Sequence, residues 1–597
     1  MSETGQQLAQ LETTGLLRRT QVQPDLEYLF RHALVQDAAY ASLLKADRKR
    51  LHQLVGETLE QIYPDRLDEL ASLLARHFRE VGPDSRALHY YTRAGDLAAQ
   101  QYAIQEALAH YTSALDLAQH SDPAPALYRA RGQAYETLGD FARALADFEA
   151  ALRAAQAQAD RPAVWQALID LGCLWAERDY TQTGEYFVRA FELARTLDDP
   201  LMRAHSLNRL GNWRLNMEQP LAARQQHQEA LAIFRELADR RGLAETLDLL
   251  GMTSYMGSDL QDSTVYYRQA VALFRALDDR PGLVSSLATL ALCSANYQNS
   301  VMAPATIATA ETARAGEEAL RIARAIGSRA GEAYALNNLG LCRATAGDYT
   351  HTLALLQQAL ACAEEIGHRQ WMTLAHFALG ALYQDLFALD AARQQLENAL
   401  VLAQQINSRF WVRCTTGQLA STCILQHDFA RAAAVLNAAL DPQTPAQTVG
   451  QRLAWTASAE LALAAGNPSQ ALQIADHLLA SAAHLADGRP IPRVAQLRGQ
   501  ALATLGQTAA AEATLAAAQA GAAAQGARPL LWRIEVAQGQ LYKTQARHAE
   551  AAQAFTSASQ IVEELAARVP GAALRANFLR GAKALFLQQM HGSAPSA

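Results

Sequence analysis

Apolar residues recur along most of this chain at the three- and four-residue intervals that place them on one face of an α-helix. Leu353, Leu356, Leu360 and Ala363 show this spacing. Stretches of this kind alternate with short links that contain Asp or Gly, such as Gly347-Asp348-Tyr349, and these residue types are typical of helix ends. The pattern predicts amphipathic helices joined by tight turns, and therefore an all-α fold.

The helices are predicted to form pairs that repeat about every 40 residues. A Leu-Gly or Leu-Ala step recurs in one stretch of each unit, at Leu171-Gly172, Leu210-Gly211, Leu250-Gly251, Leu290-Ala291, Leu339-Gly340, Leu379-Gly380 and Leu419-Ala420. An alanine followed by a bulky apolar residue recurs with the same period in the other stretch, for example at Ala230-Leu231 and Ala359-Leu360. Two independent markers with one period indicate antiparallel helical hairpins, with Gly or Ala where the two helices approach closely.

These repeats, from about Glu106 to Ser559, resemble the tetratricopeptide repeat in its longer, 40-residue form from bacterial signalling ATPases. The resemblance implies an all-α, right-handed superhelical solenoid of about twelve hairpins, with a concave groove lined by the first helix of each hairpin. In such a solenoid each hairpin contacts only its neighbours, so the resemblance also implies a stability that is approximately a sum over repeats.

One interval between Leu-Gly steps is nine residues longer than the others, and the excess lies between Leu290 and Ala319. We therefore predict an insertion near residues 296–308. It is either a loop that reaches a partner or a tolerated surface insertion. The second interpretation is favoured because long surface insertions cost little free energy.

The two ends of the chain do not follow the repeat. Residues 28–59, which include Phe30, Arg31 and His32, resemble the end of the winged-helix segment of signal-transduction ATPases with numerous domains, known as STAND ATPases. Residues 574–580 resemble the helix that closes the repeat arm in that class, whereas no ATPase domain occurs in the chain. The resemblance makes His32 a candidate nucleotide-sensing remnant, although an ordinary packed or exposed histidine is the favoured interpretation.

The expected organisation has four parts. Residues 1–62 are a winged-helix remnant and lead-in, residues 63–105 are a first hairpin region, residues 106–565 are the solenoid, and residues 566–597 are a closing helix with a disordered tail.

Net charge, sequence motifs and the positions of the cysteines indicate a protein that is not an enzyme. The formal net charge is -7, which favours neither nucleic acid nor a membrane as a partner. No lysine follows a glycine-rich phosphate loop, no histidines or cysteines have the spacing of metal ligands, and no nucleophile elbow occurs. The six cysteines are scattered, as in a reduced cytoplasmic protein. The sequence therefore predicts a cytoplasmic protein that is not an enzyme and has no catalytic, metal or cofactor site.

The predicted concave groove is the more informative place to search for functional residues. Counting from the Leu-Gly step predicts which polar and apolar residues face the concave side. The candidate partner-binding residues are Asn208, Asn212, Trp213, Asn216, Asp248, Met252, Tyr255, Asn296 and Asn337. Asparagine amides can pair with an extended peptide backbone, and the larger side chains can anchor it. Alternatively, asparagines are simply tolerated on exposed helix faces.

These observations favour a non-catalytic scaffold or sensor arm that binds a protein or peptide in bacterial signal transduction. The resemblance suggests a separately encoded ATPase or cyclase module as a partner. Two alternatives stay open: a fragment of a multidomain STAND ATPase, adenylate-cyclase-type or transcription regulator, and a small-ligand sensor that binds an inducer.

Overall fold

The computed structural model describes residues 3–21, 27–82, 85–118, 124–176, 178–294, 299–304, 307–482 and 488–588. In these residues the chain forms 29 α-helices, so the predicted all-α, tetratricopeptide-like solenoid is confirmed. Its helices pack into two compact units, Met1–Ala134 and Tyr135–Ala597. The finer four-part division stays a prediction. Among the described helices, none combines the length and the apolar character that a bilayer crossing requires.

In the first unit a β-hairpin follows the first helix, within the predicted winged-helix remnant and lead-in of residues 1–62. Strand β1 (Leu17–Gln21) pairs antiparallel with β2 (Glu27–Phe30), with an irregularity in register between Arg19 and Gln21. A core of stacked aromatic rings follows, in which Phe78 lies parallel to Tyr90 at 5.8 Å between centroids. The helices that begin in this unit are α1 (Glu3–Thr13), α2 (Ala33–Ser42), α3 (Lys45–Ile62), α4 (Ala71–Val81), α5 (Ser85–Gln100), α6 (Ile104–Ala118) and α7 (Pro125–Thr137), with a 3-10 turn at Pro64–Arg66.

The second unit contains the repeats. Its helices are α8 (Phe141–Ala157), α9 (Arg161–Trp175), α10 (Tyr180–Leu197), α11 (Pro200–Asn216), α12 (Pro220–Glu236), α13 (Arg240–Met256), α14 (Leu260–Ala276), α15 (Arg280–Leu292), α16 (Thr309–Ala325), α17 (Arg329–Thr345), α18 (Tyr349–Glu365), α19 (Arg369–Asp385), α20 (Leu389–Gln405), α21 (Arg409–Leu425), α22 (Phe429–Asn437), α23 (Val449–Ala464), α24 (Pro468–Ala480), α25 (Pro492–Thr504), α26 (Thr508–Ala524), α27 (Arg528–Thr544), α28 (His548–Ala566) and α29 (Ala572–Gln588), with a 3-10 turn at Asn299–Val301. From α9 to α28 these helices form antiparallel hairpins in sequence order.

The 40-residue period arises from the length of the helices and of their links. Helices α11, α12 and α13 each have 17 residues and are separated by three. The middle residue of each link adopts positive φ, as Ala238 does at 53°, and this reverses the chain. The residue after it caps the next helix, because the Asp239 carboxylate accepts from the backbone N–H groups of Arg241 and Gly242. Two such units of 20 residues make one hairpin.

Glycines lie where helices cross closely, as the repeat predicts. A Cβ atom on Gly172 would lie 2.4 Å from the ring of Phe187 on the paired helix. Gly417 in α21 allows two helix backbones to approach each other, because a Cβ there would lie 2.7 Å from backbone atoms of Leu453 and Ala454 in α23. These two helices therefore contact each other backbone to backbone.

Hairpins of the second unit that are distant in sequence also contact each other. The Tyr180 N–H donates to the Ile406 carbonyl at 2.9 Å, and the Asn407 amide donates to Asp179 at 3.1 Å across 228 residues. The Thr350 hydroxyl likewise donates to the Arg568 carbonyl across 218 residues. The stack of hairpins thus coils with about five hairpins to a superhelical turn, and successive turns touch. The expectation that each hairpin contacts only its neighbours is wrong.

In its described part, residues 299–304, the insertion is neither a surface loop nor a loop that extends toward a partner. Val301, Met302 and Ala303 are fully buried against α23 and α25 of the next superhelical turn. The Val301 carbonyl accepts from Nε of Arg452 at 2.5 Å, and the Ala303 N–H donates to the Ser258 carbonyl at 3.3 Å. The favoured interpretation of a tolerated surface insertion is therefore wrong for residues 299–304. Residues 295–298 and 305–306 lie outside the described part.

The predicted closing helix is present as α29. Phe578 on this helix is fully buried, with its ring centroid 6.1 Å from Tyr349 and 6.5 Å from Trp532. A Cβ on Gly581 would lie 2.1 Å from the Phe387 ring, so α29 packs closely against the earlier superhelical turn. Residues 589–597, the predicted tail, lie outside the described residues.

Candidate partner-binding site

The structure divides the predicted groove residues into two groups. Four are buried and four keep part of their surface accessible, whereas Asn296 lies outside the described residues. The buried residues are Asn208, Asn216, Tyr255 and Asn337. The partly accessible residues are Asn212, Trp213, Asp248 and Met252. The placement of the predicted groove residues on the concave side stays a prediction, and four of them are covered within the fold.

The buried asparagines make few hydrogen bonds. The Asn208 amide donates to the Thr246 hydroxyl at 2.8 Å, and the Asn216 amide donates to the Asn212 carbonyl at 3.2 Å. The side-chain amide of Asn337 has no partner among the described residues. An extended peptide could not reach these amides without displacing protein that covers them.

Trp213 has a structural role in the fold. Its indole N–H donates to the Tyr180 carbonyl at 2.7 Å, and its ring packs against Gly184 of α10. Because the polar end of the indole is already satisfied within the chain, Trp213 connects α11 to the preceding hairpin rather than standing free as a ligand anchor.

Five residues of α9, α11 and α13 keep part of their surface accessible. We call this set the inner crevice and define it by Cys173, Arg209, Asn212, Glu245 and Asp248. Nη2 of Arg209 lies 3.9 Å from Oε2 of Glu245, and the two side chains are 35% and 28% exposed. Burial raises the pKa of the Cys173 thiol to about 11, although Cys173 keeps some exposed surface. These groups are therefore partly desolvated and still accessible to water.

Carboxylates outnumber cations in this crevice. Glu136, Asp170 and Glu245 all act on Arg209, and Arg241 pairs with Glu245 at the rim at 3.6 Å. Desolvation by burial lowers the pKa of His205, so this histidine adds no charge at neutral pH. With Asp248 ionised, the crevice carries an excess of negative charge.

Asp248 lies at the bottom of the crevice. Its carboxylate accepts from the Ser286 hydroxyl at 2.5 Å and from the Ser285 hydroxyl at 3.3 Å. Burial raises the pKa of Asp248 to about 6, although both hydroxyls favour the ionised form. The charge of the crevice therefore changes between mildly acidic and neutral pH.

We expect Asp248→Asn to flatten the pH dependence of stability. Because the folded-state pKa of Asp248 is raised, the folded chain holds a proton that the unfolded chain releases, so stability falls as pH rises from about 4 to about 6. Relative to the wild type, the variant should gain on the order of 2 kcal/mol between pH 4 and pH 7. Urea titrations followed by circular dichroism at both pH values would measure this. Parallel pH profiles would contradict it.

His32, the candidate nucleotide-sensing remnant, is exposed at the N-cap of α2, where its side chain makes no capping hydrogen bond. Its role stays a prediction. In the described part of the chain, no three histidine, cysteine or acidic side chains cluster as metal ligands would.

Sequence reasoning missed the charged pair at the centre of the crevice. Arg209 is adjacent to Asn208, and Glu245 lies three residues before Asp248. A search for opposite charges on equivalent faces of successive first helices could have found them. The number of carboxylates that converge there depends on tertiary packing.

Comparisons with known proteins agree with this architecture. A family described as tetratricopeptide repeat matches residues 202–276, which include α12, α13 and α14. The crystal structure of the yeast Tom70 is 13% identical and covers 85% of this chain and 97% of that chain, with a TM-score of 0.32 that is too low to support an argument. No curated protein matches the chain. Residues 202–276 are therefore similar to the tetratricopeptide repeat, within an all-α solenoid of helical hairpins.

Proposed function

We propose that this protein is a non-catalytic scaffold or sensor arm that binds an extended segment of a partner protein in the inner crevice. We place it in the cytoplasm, in bacterial signal transduction, with a separately encoded ATPase or cyclase module as the partner that the N-terminal resemblance suggests. The single observation that supports binding here is the inner crevice, a set of polar side chains on α9, α11 and α13 that stay partly accessible in the folded chain.

The crevice offers suitable groups for a peptide backbone. The Asn212 amide is partly exposed, and it can both donate to and accept from a main chain laid along α11. Met252, one turn beyond Asp248 in α13, offers partly exposed apolar surface. A segment that crosses α9, α11 and α13 would meet both.

Charge indicates which segments fit. The three carboxylates of Asp170, Glu245 and Asp248 exceed the two positive charges of Arg209 and Arg241. A lysine or arginine side chain of the partner would compensate this excess, since charge complementarity favours encounter and register. The bound segment is therefore basic.

Selection from a phage-displayed random peptide library on the immobilised full-length chain tests this proposal. We expect the selected peptides to be enriched in lysine and arginine. Glu245→Gln should weaken their binding, measured by fluorescence polarisation, about fivefold, which corresponds to about 1 kcal/mol.

The matched control is Glu236→Gln, because Glu236 is an exposed carboxylate at the end of α12. This variant should bind the selected peptides as the wild type does. Selection of no basic peptide, or equal binding by the Glu245→Gln variant, would overturn the proposal. Stabilisation by small molecules in the absence of any peptide binding would instead favour an inducer sensor.

A further inference from the structure

Helix α3 in the first unit has one covered face and one uncovered face. Its inner face packs on α4, where Gly56 lies under the Phe78 ring and His52 approaches His77 at 2.9 Å. The opposite face carries large apolar side chains that are between 40% and 72% exposed, namely Leu44, Leu51, Leu54, Val55 and Ile62. Apolar side chains that cluster on one helix face in this way mark an interaction surface.

The spacing of this face matches the seam of a two-helix coiled coil. Leu51, Leu54 and Thr58 follow one another at three and four residues, and Leu44 lies seven residues before Leu51, with Asp47 at the seam position between them. Val55 and Ile62 form an adjacent column with a seven-residue interval. A second helix laid along this stripe would bury it without disturbing the contacts of α3 with α4.

The charges beside the stripe indicate the occupant. Arg50 and Glu57 lie seven residues apart, on the same flank of the seam, and Glu57, which is 40% exposed, also lies 3.5 Å from Arg86 of its own chain. In an antiparallel pair of identical helices centred near Leu54, equivalent flanks face each other, so Arg50 of each copy lies near Glu57 of the other. A parallel pair would instead place Arg50 near Val55 of the other copy. The stripe is thus complementary to itself in the antiparallel arrangement.

We propose that α3 is a homodimerisation helix, which pairs antiparallel with α3 of a second copy of this chain about a two-fold axis near Leu54. One helix pair is a small interface, so the dimer is reversible, with a dissociation constant on the order of 10 μM. The inference is independent of the proposed peptide site, which lies in the second unit.

Sedimentation velocity of the full-length chain across a concentration series tests the proposal. We expect a reversible monomer–dimer equilibrium for the wild type and a monomer for Leu54→Asp. Leu221→Asp is the matched control, because Leu221 is an exposed leucine on α12, and this variant should dimerise as the wild type does. A wild type that stays monomeric, or a Leu54→Asp variant that still dimerises, would overturn the proposal.

A charge exchange tests the antiparallel arrangement. Arg50→Glu and Glu57→Arg should each weaken the dimer about tenfold, since each places like charges against each other twice in the symmetric interface. The double variant restores both pairs in exchanged order and should return to within about threefold of the wild type. Failure of the double variant to recover would exclude pairing of Arg50 with Glu57 of a second copy.

Discussion

Arg413→Met is expected to lower the free energy of unfolding by about 3–5 kcal/mol. The Arg413 guanidinium pairs with Glu218, whose side chain is 3% exposed, and these two residues belong to successive superhelical turns. Removal of Arg413 leaves a buried carboxylate that keeps hydrogen bonds with the Thr448 hydroxyl, at 3.0 Å, and with the Gln451 side chain, but has no cation beside it. Burial already raises the pKa of Glu218, so the variant should also take up a proton there as it folds. Urea unfolding followed by circular dichroism measures the loss.

A double-mutant cycle separates the cost of leaving Glu218 buried without a cation from the contribution of the ion pair itself. Glu218→Gln combined with Arg413→Met removes both charges and should recover part of the loss. Arg195→Met is the matched control, because Arg195 pairs with Glu192 within α10 and both side chains are 59% exposed. That variant should change stability by less than about 1 kcal/mol. An equal cost for the two arginine variants would show that the turns do not depend on this contact.

Phe578→Ala should cost about 3–5 kcal/mol, because it empties the space that the ring fills between Tyr349, Phe387 and Trp532. The neighbouring residue Leu579 is exposed on the same helix, so Leu579→Ala should cost less than about 1 kcal/mol. Thermal unfolding of both variants by calorimetry makes the comparison. Equal losses would mean that α29 does not pack as described.

The hairpins could be predicted from sequence because their determinants are local. A 17-residue helix, a link with positive φ and a capping aspartate such as Asp239 each leave a signature within 20 residues. The same phase predicts inner-face positions for Asn208, Asp248 and Asn337, of which the structure buries Asn208 and Asn337. Even the close crossings were visible as glycines in the Leu-Gly step.

The closure of the superhelix could not be predicted in this way. How tightly the hairpins coil depends on small rotations between neighbours, which accumulate over about five hairpins before two turns meet. Side chains such as Glu218 and Arg413 are ordinary charged residues in sequence, 195 positions apart. For the same reason, the burial of Asn337 and of the insertion at Val301 followed from packing that no short window of sequence contains.

The contact between Asp179 and Asn407 also has a consequence during translation. At about 5–20 residues per second, a ribosome needs roughly 10–45 seconds to advance the 228 positions from one residue to the other. During that time the first helices of the early hairpins, such as α11, lack their contacts with the later superhelical turn. Amides such as those of Asn208 and Asn216 keep this waiting surface wettable, whereas leucines there would expose nascent chains to aggregation.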